Sequence, residues 1–141
     1  MQRVDSRHRP DGASNHYVHT HTLIWDLLDD PNSSRLARQI LQSNDHELVF
    51  SLVSLWEIAT KIKTGKLRTL GSSVAYLRDE MEAYGIELLP IRYEHVLQLE
   101  NLPHHHGDPF DRLLIAQAIT ERLPILTADT AFKKYEVKLV W

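Results

Sequence analysis

Short apolar runs alternate along the chain with segments in which apolar residues recur every three or four positions. The runs predict strands at Tyr17–His19, Leu48–Ser51, Ile86–Leu89, Pro124–Thr127 and Val137–Val140. The periodic segments predict helices at Leu23–Leu28, Leu36–Leu41, Leu55–Thr64, Val74–Tyr84, Tyr93–Asn101 and Asp111–Arg122. Strands and helices that alternate at this length are typical of a mainly parallel sheet with helices on both faces, so the sequence predicts an α/β fold.

The amino-terminal sixteen residues lack this pattern. They contain a turn cluster at Pro10–Gly12 and almost no large apolar side chain until Tyr17. We therefore expect residues 1–16 to form a flexible leader and residues 17–141 to form the folded domain. A total of 141 residues, 43% of them hydrophobic, suffices for one domain with a buried core.

Composition restricts the chemistry of the protein. The chain has no cysteine, which excludes disulfides, thiolate metal sites and a cysteine nucleophile. Its formal net charge is −3, so any contact with nucleic acid requires a local basic patch and a bound cation. The longest nearly apolar stretch, Val49–Trp56, is far shorter than the roughly 20 residues of a membrane helix. We expect a cytoplasmic protein that does not contact membranes.

Polar residues follow the predicted strands at the end where parallel sheets bind ligands. His19 ends the first strand, Glu57 lies one turn into the helix after the second, and Asp129 follows the fourth. Asp108 and Asp111 open the preceding helix. Carboxylates that converge in this way repel one another unless a cation binds them, and hard divalent cations prefer oxygen ligands. The pattern indicates metal-assisted phosphodiester hydrolysis.

Each acid also has a local interpretation. Ser54 and Glu57 have the spacing of a capping box, in which the glutamate bonds back to the helix start. Asp108 and Asp111 are acids at a helix start, where they are favoured in any protein. Asp129 can cap the short helix that follows it. Both interpretations remain open for every one of these residues.

Basic residues and histidines lie next to this constellation. Lys61 and Lys63, with the nearby Lys66 and Arg68, either form a solvated helix end or guide phosphates towards the acids. The histidine run from 104 to 106 includes His106, which lies two residues before Asp108. The run lacks the separated ligand pairs of a structural zinc site.

Four segments carry a family resemblance, in order and at the expected spacing. They are His19–Trp25, Ser51–Ala59, Asp108–Ala118 and Leu126–Asp129, with Phe132 beyond the last. The chain resembles PIN-domain proteins, specifically the VapC-like toxin ribonucleases of toxin–antitoxin systems. The segment Asp108–Ala118 is the most specific of the four.

The resemblance implies a three-layer α/β/α sandwich and RNA cleavage that depends on Mg²⁺ or Mn²⁺. It assigns Glu57, Asp111 and Asp129 to the metal and to catalysis, with Asp108 as a neighbouring helper. It also implies a homodimer and an antitoxin partner. The candidates for contact with the RNA substrate are Lys61, Lys63, His106 and Arg112.

His19 departs from the family pattern, which has an aspartate at this position. A neutral imidazole is a poor ligand for Mg²⁺ and a better one for Mn²⁺, Zn²⁺ or Ni²⁺. We therefore predict weak activity in Mg²⁺ and partial recovery in Mn²⁺. A second hypothesis is a PIN domain that binds RNA or an antitoxin without cleavage.

Overall fold

A computed structural model describes residues 14–63 and 73–141. Its sheet has five strands: β1 (Ser14–Val18), β2 (His46–Ser51), β3 (Glu87–Leu89), β4 (Ile125–Leu126) and β5 (Leu139–Val140). Their order across the sheet is β3-β2-β1-β4-β5, and every neighbouring pair is parallel. The prediction of a mainly parallel sheet is confirmed.

Within the described residues, six α-helices connect and cover the strands. They are α1 (Thr20–Leu27), α2 (Arg35–Gln42), α3 (Leu52–Lys63), α4 (Val74–Tyr84), α5 (Tyr93–Glu100) and α6 (Pro109–Glu121). A short 3₁₀ helix, Thr130–Lys134, lies between β4 and β5. None of the helices among the described residues is both long and apolar enough to cross a membrane.

Alternation along the strands divides the core between the two faces of the sheet. Val18 and Leu126 face the core formed with α1 to α4, whereas their neighbours Tyr17 and Ile125 face the core formed with α5, α6 and the 3₁₀ helix. Successive strand residues point to opposite faces, so each strand contributes to both cores. The predicted three-layer α/β/α sandwich is confirmed.

The first strand begins earlier than its apolar pattern indicates. β1 starts at Ser14, three residues before Tyr17, and pairs with β2 from Ser14 opposite His46. Residues 14–16, which we assigned to a flexible leader, therefore belong to the sheet, because backbone pairing needs no apolar side chains. Residues 1–13 lie outside the described part of the chain, and the domain boundary at residue 17 stays a prediction.

The helices α3 and α6, which carry candidate site residues, also begin earlier than predicted. The helix α3 starts at Leu52 rather than Leu55, because β2 passes into it without a loop and the Ser51 hydroxyl accepts a hydrogen bond from the Val53 backbone N–H at 2.9 Å. The helix α6 starts at Pro109 rather than Asp111. Proline suits the first helical turn, where its missing N–H would have no partner. The predicted end of α3 at Thr64 lies outside the described residues.

Candidate functional site

The carboxyl ends of β1 and β4 lie next to each other at the middle of the sheet. From this point the chain order runs outward in both directions, through β2 and β3 on one side and through β5 on the other. Such a switch point leaves a crevice beyond the strand ends, where α/β proteins bind ligands. His19 follows β1 directly, and Thr127 and Asp129 follow β4.

Three potential metal ligands converge in this crevice. Single ligand atoms of His106, Asp111 and Asp129 all lie within 4.8 Å of one another, and we call these residues the cation cluster. Asp111 comes from the first turn of α6, Asp129 from the loop after β4, and His106 from the loop before α6. Asp111 and Asp129 therefore meet as the sequence predicts, although 18 positions separate them in the chain.

His19 takes the position that the family pattern gives to an acid, and it contacts Asp111 directly. Its Nε2 lies 3.2 Å from Oδ1 of Asp111, and its Nδ1 lies 2.9 Å from the Thr127 hydroxyl. That hydroxyl accepts the backbone N–H of Asp129 at 3.0 Å, so its own hydrogen can be donated to Nδ1. In this arrangement the neutral His19 ring carries its hydrogen on Nε2 and donates it to Asp111.

His106 lies beside the second oxygen of Asp111. The Asp108 backbone N–H donates to Nδ1 of His106 at 3.0 Å, which leaves the hydrogen of a neutral ring on Nε2. This Nε2 lies 3.3 Å from Oδ2 of Asp111. Both carboxylate oxygens of Asp111 therefore face an imidazole nitrogen.

The two histidines determine the ionisation of Asp111. Burial on its own would raise the pKa of this carboxyl group. The hydrogen bond and the charge of His19, together with the charges of His106 and His21, outweigh burial and lower the pKa below its ordinary value. Asp111 is therefore a carboxylate at neutral pH, which is the form that binds a cation.

Glu57 is buried on α3 and is paired with a lysine. Its Oε2 accepts a hydrogen bond from Lys61 Nζ at 2.7 Å, one helical turn along α3. Its Oε1 is buried and has no hydrogen-bond partner within the described part of the chain. The structure therefore does not place Glu57 in the cation cluster itself, but it leaves one of its oxygens available.

The capping-box interpretation of Ser54 and Glu57 is wrong. Ser54 lies inside α3 rather than at its start, and its hydroxyl bonds to the Thr20 hydroxyl of α1 at 2.7 Å. Glu57 points to Lys61 instead of back to the helix start. The reason is the direct passage from β2 into α3, which moves the helix start to Leu52.

The local interpretation holds for Asp108 and Asp129, without excluding a role at the cation. One oxygen of Asp108 accepts the Asp111 backbone N–H at 3.0 Å and caps α6. One oxygen of Asp129 accepts the Ala131 backbone N–H at 3.0 Å and caps the 3₁₀ helix. Each cap holds its carboxyl group in a fixed position at the crevice.

The candidates for RNA contact have different surroundings. The guanidinium of Arg112 donates to the backbone carbonyls of Pro103 and Leu102, at 3.0 and 3.4 Å, so it holds the histidine loop. Lys61 is paired with Glu57, and Lys63 is exposed at the end of α3. Lys66 and Arg68 lie outside the described residues. The role of these side chains towards RNA stays a prediction.

A cavity of about 270 Å³ opens next to the cation cluster, and we call it the α1 cavity. Its walls include His21, Thr22 and Trp25 from α1 together with His19, Thr127 and Asp129 from the strand ends. Burial, with the charges of His19 and Lys61, lowers the pKa of His21, and the carboxylates of Glu57 and Asp111 oppose this shift. Asp129 belongs to both the cavity and the cluster.

The sequence matches the family model of the PIN domain over residues 17–138. The chain belongs to the PIN domain family. No curated protein sequence matches it significantly.

Solved structures share the fold of this PIN domain. One is VapBC2 from Rickettsia felis bound to a DNA fragment from its promoter, with a TM-score of 0.69 and 15% identity, over 89% of this chain and 97% of that chain. Another is a toxin-antitoxin complex from Klebsiella pneumoniae, with a TM-score of 0.59 and 20% identity, over 89% of this chain and 96% of that chain. A third is FitAcB from Neisseria gonorrhoeae, with a TM-score of 0.61 and 16% identity, over 89% and 96%.

The PIN domain also contains a buried polar network that sequence reasoning missed. The side-chain oxygen of Gln117 on α6 accepts hydrogen bonds from the hydroxyls of Tyr17 at 2.6 Å and Ser51 at 2.5 Å. Its amide nitrogen lies 3.2 Å from Nδ1 of the fully buried His95. The signal that could have found it is a polar residue inside the apolar run Leu113–Ala118. The network ties α6, which carries Asp111, to β1 and β2.

The residues of this site fit a divalent cation, although they do not supply four carboxylate ligands to one ion. Asp111 and Asp129 supply carboxylate oxygens and His106 supplies an imidazole nitrogen, whereas Glu57, whose Oε1 is buried without a hydrogen-bond partner among the described residues, lies outside this cluster. Mg²⁺ commonly binds to one or two carboxylates and completes its shell with water. Each oxygen of Asp111 faces one imidazole nitrogen and keeps a further lone pair for a cation. Because an imidazole adds no negative charge, we expect weaker Mg²⁺ binding than in a site with an aspartate at position 19.

Proposed function

We propose that this PIN domain is a divalent-cation-dependent ribonuclease and the toxin of a toxin–antitoxin pair. The observation that carries the proposal is the convergence of Asp111 and Asp129 at the switch point of a parallel sheet, within 4.8 Å of His106. Carboxylates in this position are the ligands that cation-assisted phosphodiester cleavage requires.

In this proposal, Asp111 and Asp129 hold the cation, and Glu57 contributes its unpartnered oxygen after its bond to Lys61 loosens. When bound, Mg²⁺ or Mn²⁺ supplies an activated water and stabilises the charge on the phosphate. Asp108 keeps the start of α6 in place through its cap on Asp111. Lys61, Lys63, His106 and Arg112 are the candidates for RNA contact.

His19 shifts the expected metal preference. Its ring donates to Asp111 and contributes no carboxylate, so the site has one negative charge and one hard ligand fewer than the family pattern. Mixed nitrogen and oxygen surroundings favour Mn²⁺ over Mg²⁺. We expect cleavage to be weak in Mg²⁺ and stronger in Mn²⁺.

The proposed partners are an antitoxin and a second copy of the chain. The three solved structures include a toxin-antitoxin complex by its own description, and their shared fold supports an antitoxin for this chain as well. Large apolar side chains are exposed on α2 at Leu36 and on α3 at Leu52 and Trp56, where we predict contact surface. Because the proposed substrate is cellular RNA, we place the protein in the cytoplasm.

A second candidate function is RNA or antitoxin binding without cleavage. The observation that favours it is that both Asp111 oxygens already have imidazole partners. A site whose carboxylate is satisfied by the chain itself can fold without a cation and has less need of one.

An RNA-cleavage assay separates the two functions. The protein is incubated with structured and single-stranded RNA in Mg²⁺, in Mn²⁺ and in chelator, beside the His19→Asp and Asp111→Asn variants. Cleavage that requires a cation and disappears in Asp111→Asn supports the ribonuclease. Cleavage by neither the native chain nor the His19→Asp variant, with RNA binding retained, supports the binding function instead.

A further inference from the structure

A line of aromatic rings runs past the candidate site. Neighbouring ring centroids lie 5.0 to 6.1 Å apart, and most pairs meet edge to face. The rings in order are those of Trp141, Trp25, His21, His19, Phe132 and His106. These spacings are those of favourable aromatic pairs, so each ring fixes the orientation of the next.

Two of these rings form a wall of the α1 cavity and are partly exposed. Trp25 and His21 lie on the same face of α1, four positions apart, and both contact the cavity. The Trp25 indole is supported from behind by Trp141, with their centroids 5.9 Å apart. The His21 nitrogens have no hydrogen-bond partner in the described part of the chain. The cavity therefore presents a pre-oriented aromatic surface and unused polar atoms.

The charges around the cavity disfavour an anionic group as its occupant. Among the described residues, its lining includes neither lysine nor arginine, and its one carboxylate belongs to Asp129. A phosphate would meet repulsion there, whereas a neutral planar ring would meet stacking partners. A ligand that places a phosphate near the cation cluster and a neutral aromatic ring beside it has the chemistry of a nucleotide.

We propose that the α1 cavity is a nucleobase-binding subsite, in which a base next to the cleaved phosphate stacks on Trp25 and is contacted by His21. This inference rests on the proposed ribonuclease function and assigns the binding of an RNA base to the α1 cavity. Asp129 connects the two parts, because it lines the cavity and belongs to the cation cluster. Stacking accepts any base, and hydrogen bonds from His21 to the base edge add preference.

The test measures binding in chelator, so that RNA stays intact. The probe is a fluorescently labelled single-stranded hexaribonucleotide, followed by anisotropy, with melting temperatures recorded for each variant. We expect Trp25→Leu to weaken binding by about 5- to 150-fold, the range that corresponds to one lost stacking contact. Trp25→Phe keeps an aromatic face and should retain most of the affinity. Tyr93→Leu, which removes an exposed aromatic ring of α5, should bind as the native chain does.

A competition experiment on the native chain avoids any question of folding. A mononucleotide should displace the probe far better than ribose 5-phosphate, which has the same phosphate and no base. Displacement by ribose 5-phosphate as strong as that by the mononucleotide would overturn the proposal. Displacement by N-acetyl-tryptophanamide that equals the mononucleotide would also overturn it, because it would indicate an aromatic side chain of a protein partner.

The outcomes distinguish this inference from the ribonuclease proposal. Suppose that the native chain and Trp25→Leu bind RNA with equal affinity and both cleave it in Mn²⁺. This result would overturn the base subsite and leave the ribonuclease proposal standing. A loss in Tyr93→Leu equal to that in Trp25→Leu would do the same. Absence of both RNA binding and cleavage by the native chain would refute the ribonuclease proposal itself, and the subsite with it.

Discussion

The substitution His19→Asp is the sharpest test of the site, because it changes both charge and hydrogen bonding at one atom position. In the native chain, Nε2 of His19 lies 3.2 Å from Oδ1 of Asp111 and acts as a donor. An aspartate there places a second carboxylate against the first. The variant therefore replaces an attraction with a repulsion, which only a cation or a proton can relieve.

The size of the effect follows from this geometry. Two unit charges about 4 Å apart repel by about 4 kcal/mol at an effective dielectric constant of 20, and by about 1 kcal/mol in bulk water. The variant also loses the hydrogen bonds of His19 to Thr127 and Asp111. We expect the free energy of unfolding in chelator to fall by about 2 to 4 kcal/mol. For a domain of this size, each kcal/mol lowers the melting temperature by about 4 °C.

The cation should reverse this loss in the variant and have little effect on the native chain. Binding at 100 times the dissociation constant stabilises a folded protein by about 2.7 kcal/mol. Melting curves recorded across a Mg²⁺ titration should therefore rise and saturate for His19→Asp and remain nearly flat for the native chain. Cleavage of RNA in Mg²⁺ should increase at least about tenfold, which corresponds to ~1.4 kcal/mol of transition-state stabilisation.

Two controls isolate the cause. His19→Asn supplies an oxygen ligand without charge, so it should show little of the Mg²⁺ response. Asp111→Asn added to His19→Asp should abolish the gain in cleavage, because it removes charge and nearly keeps shape. Equal Mg²⁺ responses of the native chain and the His19→Asp variant, in both melting temperature and cleavage, would refute the assignment of position 19 to the cation site.

Further predictions concern stability. Gln117→Leu leaves the buried hydroxyls of Tyr17 and Ser51 without their acceptor and should lower the free energy of unfolding by about 2 to 4 kcal/mol in urea denaturation. Burial, with the charges of a neighbouring histidine and lysine, lowers the pKa of His16 to about 4. Between pH 6.5 and 4 only the unfolded chain protonates this ring. The free energy of unfolding should therefore decrease as the pH is lowered through this range, and it should decrease less in His16→Phe. Ser34→Ala removes the cap on α2 and should cost about 1 kcal/mol in the same denaturation experiment.

The apolar pattern predicted the order of elements and the layer arrangement because apolar positions are the positions that the fold buries. Tyr17 and Val18, adjacent in sequence, face opposite cores, as alternation in a strand requires. The pattern could not predict the start of α3. The junction at Ser51 has no turn residues, and the spacing of Ser54 and Glu57 imitates a capping box that the structure does not contain.

Convergence of the acids could be predicted, but their individual partners could not. The rule for parallel sheets placed Asp129, which follows a strand, and Asp111, which lies at the start of the helix leading to that strand, at one edge. The pairing of Glu57 with Lys61 depends on rotamers and burial, which sequence spacing permits but does not require. The bond between His19 and Thr127 joins residues 108 positions apart, and no local signal indicates it.

The hydrogen bonds around Asp111 explain how a PIN domain can keep this site folded with a histidine in place of an acid. A site of four acids concentrates negative charge and depends on a cation for its stability. Here two imidazoles hold Asp111 and a lysine neutralises Glu57, so groups of the chain itself supply part of the compensation that a cation would give. The same compensation competes with cation binding. The residue that stabilises the metal-free site is therefore the residue that should limit its activity in Mg²⁺.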